Sequence, residues 1–68
     1  MNKKHEVKFP GLAAEMARRG HRQQDLADLL KVDKSTICNK LKGKTDWTVG
    51  EVETLCDFYN EDYYYLFK

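Results

Sequence analysis

Between Leu30 and Lys34 the helical period of apolar residues stops and restarts with only Lys31, Val32 and Asp33 in between. Leu26, Ala27 and Leu30 fall at i, i+1 and i+4, one face of a 3.6-residue period, and Ile37 and Leu41 repeat the i, i+4 spacing. Two helices this close in sequence have to cross steeply. Val32 and Ile37 then point back toward Leu26 and Leu30, leaving Lys34, Ser35, Thr36, Asn39 and Lys40 for the outside. Those are side chains of the kind that meet base edges and phosphates. Asp33 is placed to cap the second helix, its carboxylate accepting from the N–H of Ser35 or Thr36.

With its flanks, the stretch Gln23 to Lys44 resembles the Cro and lambda-repressor-like (XRE-type) helix-turn-helix family. That family's loose pattern is Q-x-x-L-A-x-x-x-x-V-x-x-x-x-I followed by G-K, and Gln23, Leu26, Ala27, Val32, Ile37, Gly43 and Lys44 supply it. The likeness runs from about Leu12 to Phe67 and rests on the joint order of elements more than on any one residue. The resemblance implies an all-α fold, a compact five-helix bundle of the lambda repressor-like DNA-binding type. It also implies a sequence-specific regulator of transcription, a phage or prophage-type repressor that inserts helix 3, about residues 34–42, into the major groove of double-stranded DNA. Carried over by position, the base-reading residues are Lys34, Ser35 and Asn39. The backbone contacts are Gln23, Thr36, Lys40, Lys42 and Lys44. The family's dimeric habit implies a weak or DNA-assisted homodimer.

The chain departs from the pattern at three places. His21 and Arg22 stand where the family has an apolar residue and a Ser or Thr cap, and Arg22 cannot accept a hydrogen bond, a loss of about 1 kcal/mol that Asp25 partly offsets. Lys31 stands where the family often has Gly in the turn. Met16 and Leu41 occupy positions where family members often carry an Arg and a Glu, which implies an apolar contact in place of an ion pair.

Sixty-eight residues allow one domain, and a chain of this size buries only about 60% of its unfolded surface. The formal charge of +1 says little about partners, but its distribution says more. Lys3, Lys4, Lys8, Arg18, Arg19 and Arg22 face only Glu6 and Glu15 in the first third, and Lys31, Lys34, Lys40, Lys42 and Lys44 face Asp33 in the middle. After Thr45 the sign reverses, so the particle is basic on one side. Cys38 and Cys56 have neither CxxC nor Cys/His spacing, which argues against zinc and for a reduced, cytoplasmic compartment. The opening MNKKHEVKF has no apolar core of a secretory signal, and no run approaches a membrane span.

Residues 1–8 read as a flexible basic arm, either without a role or touching the DNA backbone, and 9–68 as the domain. Helix 1 is expected over Pro10–Arg19, with proline in the first turn, Gly20 ending it, and Arg18 and Arg19 serving the helix dipole or a phosphate. His21 reads as a half-buried spacer. Thr48 and Glu51 form a capping box, with Trp47 and Val52 as its staple. The fourth helix, about Val49–Tyr59, would bury Val49, Val52, Leu55, Cys56 and Tyr59. Asn60 takes the left-handed end, and Asp62 caps a last short helix, Tyr63–Phe67. Leu66 and Phe67 close the core, while Tyr63, Tyr64 and Tyr65 either form a dimer contact or lie over the core.

Two rival functions bear comparison. A protein-interaction module such as an antitoxin or anti-repressor partner fits the near-neutral charge but not the clustered lysines. An enzyme is disfavoured, since His5 and His21 have no matched nucleophile, carboxylate pair or phosphate-cradling loop. No cofactor is expected.

Overall fold

The computed structural model describes residues 7–68. Five helices follow one another: α1 (Pro10–Arg18), α2 (Gln23–Leu30), α3 (Lys34–Lys42), α4 (Val49–Tyr59) and α5 (Tyr63–Phe67). The described residues contain no strand.

The first four helices end in the same way. Gly20, Lys31, Gly43 and Asn60 all take positive φ, at 69°, 60°, 83° and 56°. In each case the next N–H reaches back five residues, from His21 to the Met16 carbonyl at 2.8 Å, Val32 to Ala27 at 3.0 Å, Lys44 to Asn39 at 2.9 Å and Glu61 to Cys56 at 3.1 Å. This closure satisfies carbonyls that a helix end leaves over. Helix 1 stops at Arg18, one residue before the expected Arg19. Lys31 holds the left-handed conformation without glycine's freedom, at a cost on the order of 1 kcal/mol.

Helix starts are less uniform. Thr48 and Glu51 exchange bonds as the capping box requires, Glu51 N–H to Thr48 Oγ1 at 3.1 Å and Thr48 N–H to Glu51 Oε1 at 2.9 Å. Asp62 accepts from the Tyr65 N–H at 2.9 Å. Arg22 offers no cap, but its N–H donates to the Asp25 carboxylate at 2.7 Å. Asp33 occupies the cap position of α3, yet its side chain makes no capping hydrogen bond, contrary to the sequence expectation.

Leu12, Met16, Leu26, Ala27, Ile37, Leu55, Tyr59, Leu66 and Phe67 form one core drawn from all five helices. Phe9, Trp47 and Phe67 meet edge to face at its rim, with centroids 5.4–6.3 Å apart, and tie the segment before α1 to the α3–α4 loop and α5. Val49 is not buried as expected. It is 75% exposed, and apolar burial along α4 begins at Val52 and is complete at Leu55.

Two features of α1 were not expected. A Cβ on Gly11 would lie 1.7 Å from the Tyr65 carbonyl oxygen, so α5 crosses α1 backbone to backbone at the one residue without a side chain. Glu15 is completely buried. Its carboxylate is met by Arg18 Nη1 at 2.6 Å and Arg19 Nε at 3.4 Å, and Arg19 also donates to the Tyr59 carbonyl at 3.2 Å. The Glu15 charge, and after it a hydrogen bond with Tyr65, pushes the Arg18 guanidinium above its ordinary value. Both arginines are thus committed to an internal acid.

Candidate nucleic-acid interface

The first turn of α3 is set by its neighbours. α2 and α3 pack against each other across the turn at Lys31–Asp33. Ile37 is wholly buried and Val32 half-buried, which fixes the rotation of α3 about its axis. Lys34 and Ser35 then emerge into solvent, while Thr36 and Asn39 are half-buried beside them. Lys42 and Lys44 are exposed on either side of Gly43, at the far end of the same helix. Gln23, the first residue of α2, is half-buried and lines a cleft of about 810 Å³. Met16, Cys38, Leu41 and Lys42 line it too, and Leu41 packs against the core to which Met16 belongs.

Lys40 does not belong to this surface. It is only 7% exposed, and its ammonium donates to the Asp46 carbonyl at 2.8 Å, pairs with Glu51 Oε1 at 2.9 Å and lies 5.8 Å from the centre of the Trp47 ring. The expectation that it faces outward fails for a geometric reason. One turn after Ile37, position 40 looks inward at the start of α4, where Glu51 is already held by Thr48. Burial pushes the Glu51 carboxyl up, but the Thr48 N–H and the Lys40 ammonium outweigh it and leave the group below its ordinary value. Lys40 is a clasp between α3 and α4, and is withdrawn from the set of phosphate contacts.

On α5, Tyr63, Tyr64 and Tyr65 are 44%, 72% and 39% exposed, with Phe58 of α4 at 44%, and Tyr63 lines a groove that also holds Gly43 and Thr45. Tyr63 stacks on Phe67, and Lys68 lies over Tyr63 and Tyr64 at 5.8 and 5.7 Å. His21 is half-buried as expected, but does more than fill space. Its Nδ1 is 2.9 Å from the Tyr59 hydroxyl, and its ring stacks on Phe58. Burial pushes the Tyr59 hydroxyl's pKa up. Burial, and after it Asp57 and Asp62, raises the Cys56 thiol, consistent with a small packing residue.

These features define a small all-helical domain in which a tight pair of helices, α2 and α3, presents a polar and basic ridge to solvent. The model of one protein family, the BetR domain, matches residues 12–68, and the chain belongs to that family. No curated protein and no solved structure matches it. No described helix is long and apolar enough to cross a membrane.

Proposed function

We propose that the chain is a helix-turn-helix regulator of transcription that reads double-stranded DNA with α3. The observation that carries this reading is the exposure of Lys34 and Ser35 above the sunken Ile37. A helix of this kind fits the major groove with its N-terminal residues against base edges. Asn39 donates to and accepts from adenine, Lys34 suits guanine acceptors, and Ser35 is permissive. Gln23 and the free N–H groups at the start of α2 meet one phosphate, with Thr36 close by, and Lys42 and Lys44 hold the backbone farther along. Repression by a phage or prophage-type protein in the cytoplasm is what the lambda-repressor resemblance adds. No catalytic role or cofactor enters this reading.

One such module covers little DNA, and a weak or DNA-assisted homodimer on paired half-sites answers that. The exposed Tyr63, Tyr64 and Tyr65 support a contact there, since tyrosine is enriched in protein interfaces.

Selection of bound sites from a random duplex pool, followed by anisotropy titration of the selected site at two salt concentrations, tests the reading. Asn39→Ala is expected to cost about 1–3 kcal/mol on that site and to relax one base pair, while Lys44→Ala weakens all sequences alike. Equal loss from both on random DNA, or affinity that ignores salt, overturns it.

A further inference from the structure

We infer that Lys8 is a further phosphate contact, seated on Gly43 so that its ammonium joins Lys42 and Lys44 at the end of α3; this rests on the DNA reading above. The side chain of Lys8 fills the space that a Cβ on Gly43 would take, with Cε, Cδ and Cγ at 2.9, 3.3 and 3.4 Å from that position. Gly43 therefore does two things. It takes the left-handed turn that ends α3, at φ 83°, and its bare backbone is the saddle for the aliphatic stem of a lysine distant in sequence. The backbone that carries it is anchored, because the next residue, Phe9, is held edge-on against Trp47 and Phe67.

The charge environment favours an anion at this place. Lys8 lines one groove together with Lys42, and another with Gly43, Thr45 and Asp46. Lys8, Lys42 and Lys44 are all exposed, and among the described residues none of the three is ion-paired. Lys40, the remaining lysine nearby, is consumed by Glu51. Three cations around one helix end exceed what Asp46 in the groove and the partial negative charge of that end, about half an elementary charge, together call for. A nucleic-acid phosphate is the ligand that matches the surplus, because Lys42 and Lys44 already bracket the expected path of the backbone. An ammonium on a preorganised stem also loses less freedom on binding than one on a loose arm.

The test uses the full chain and its selected duplex, with log affinity followed against log salt for wild type, Lys8→Met, Lys8→Arg and Lys42→Met. Methionine keeps the apolar stem on Gly43 and removes the charge. Lys8→Met is expected to lower the slope by about 0.9, the counterions released by one phosphate, on specific and random duplexes alike. The melting temperature stays within a degree or so of wild type, and Lys8→Arg restores the slope. An unchanged slope in Lys8→Met, while Lys42→Met lowers it, overturns the role of Lys8 and leaves the DNA reading standing. A lowered melting point with an unchanged slope assigns Lys8 to the helix dipole alone and also overturns it. Wild type without salt-dependent binding removes both.

Discussion

Gly11→Ala puts the helix-crossing of α1 and α5 to a test whose sign depends on the structure. Helix propensity alone favours alanine in a helix by about 1 kcal/mol. The structure opposes it, because the new Cβ would meet the Tyr65 carbonyl oxygen at 1.7 Å and its carbon at 2.7 Å, where real Cβ contacts essentially never fall under 3.0 Å. The obstacle is backbone, so no rotamer change relieves it and α5 has to move off α1. That helix carries Leu66 and Phe67, two core residues in a chain that buries few. Forced overpacking costs about 1–3 kcal/mol and occasionally more, and a backbone clash of this depth belongs at the upper end. Net of propensity, the loss is about 2 kcal/mol, or roughly 8–16 °C in melting temperature for a domain of this size. Gly50→Ala is the internal control: Gly50 is helical, exposed and has nothing within 4 Å of a Cβ, so the same exchange is expected to be neutral or to raise the midpoint slightly. Thermal melts by far-UV circular dichroism read both. A Gly11→Ala variant that melts at or above wild type refutes the close crossing.

Three further outcomes follow from the clasp and the core. Lys40→Ala leaves Glu51 and the Asp46 carbonyl without their shared donor in a largely buried place, and is expected to cost about 2–3 kcal/mol in urea unfolding while leaving the salt slope of DNA binding at the wild-type value. Because folding lowers the Glu51 carboxyl, its contribution is complete above the ordinary value of 4.5 and disappears as pH falls through the lower folded value. Stability should therefore decline below about pH 4.5, and Glu51→Gln should make that decline shallower; identical pH profiles would show that the pair does not form. Tyr59→Phe removes the hydroxyl from His21 Nδ1 inside an otherwise unchanged ring packing, and should lower stability by about 0.5–1.5 kcal/mol in the same unfolding assay.

The local signals in this chain are legible because each acts within a few residues. Thr48 with Glu51, Asn60 and Asp62 mark helix ends through bonds that span three to five positions, Pro10 marks one by its fixed φ and missing N–H, and the structure places a boundary at each. The apolar period finds Leu12, Met16, Leu26, Ile37, Leu55 and Leu66, since a helix in a small bundle has one face to bury. What escapes is set across the fold. Gly11 carries no turn signal, and its use appears only once α5 lies on α1. Glu15 looks like one acid among the basic residues of the first third, but it is wholly buried with Arg18 and Arg19 on its carboxylate. Val49 fits the period, yet the first turn of α4 extends past the core.

The same distinction decides how much basic charge the chain can turn toward a ligand. By residue type, the stretch from Lys31 to Lys44 offers five lysines, and Arg18 and Arg19 add to them. Tertiary structure then sorts them: Lys40 goes to Glu51 and the arginines go to Glu15, while Lys31 keeps an exposed side chain on the left-handed turn before α3. Lys34, Lys42 and Lys44 are left on α3 and just past it, and Lys8 comes to them from before α1 across Gly43. A net charge near zero and a basic ridge are therefore compatible. The acids that balance the count, Glu15 and Glu51 among them, take up cations within the fold, and the lysines they do not use stay exposed at the two ends of α3.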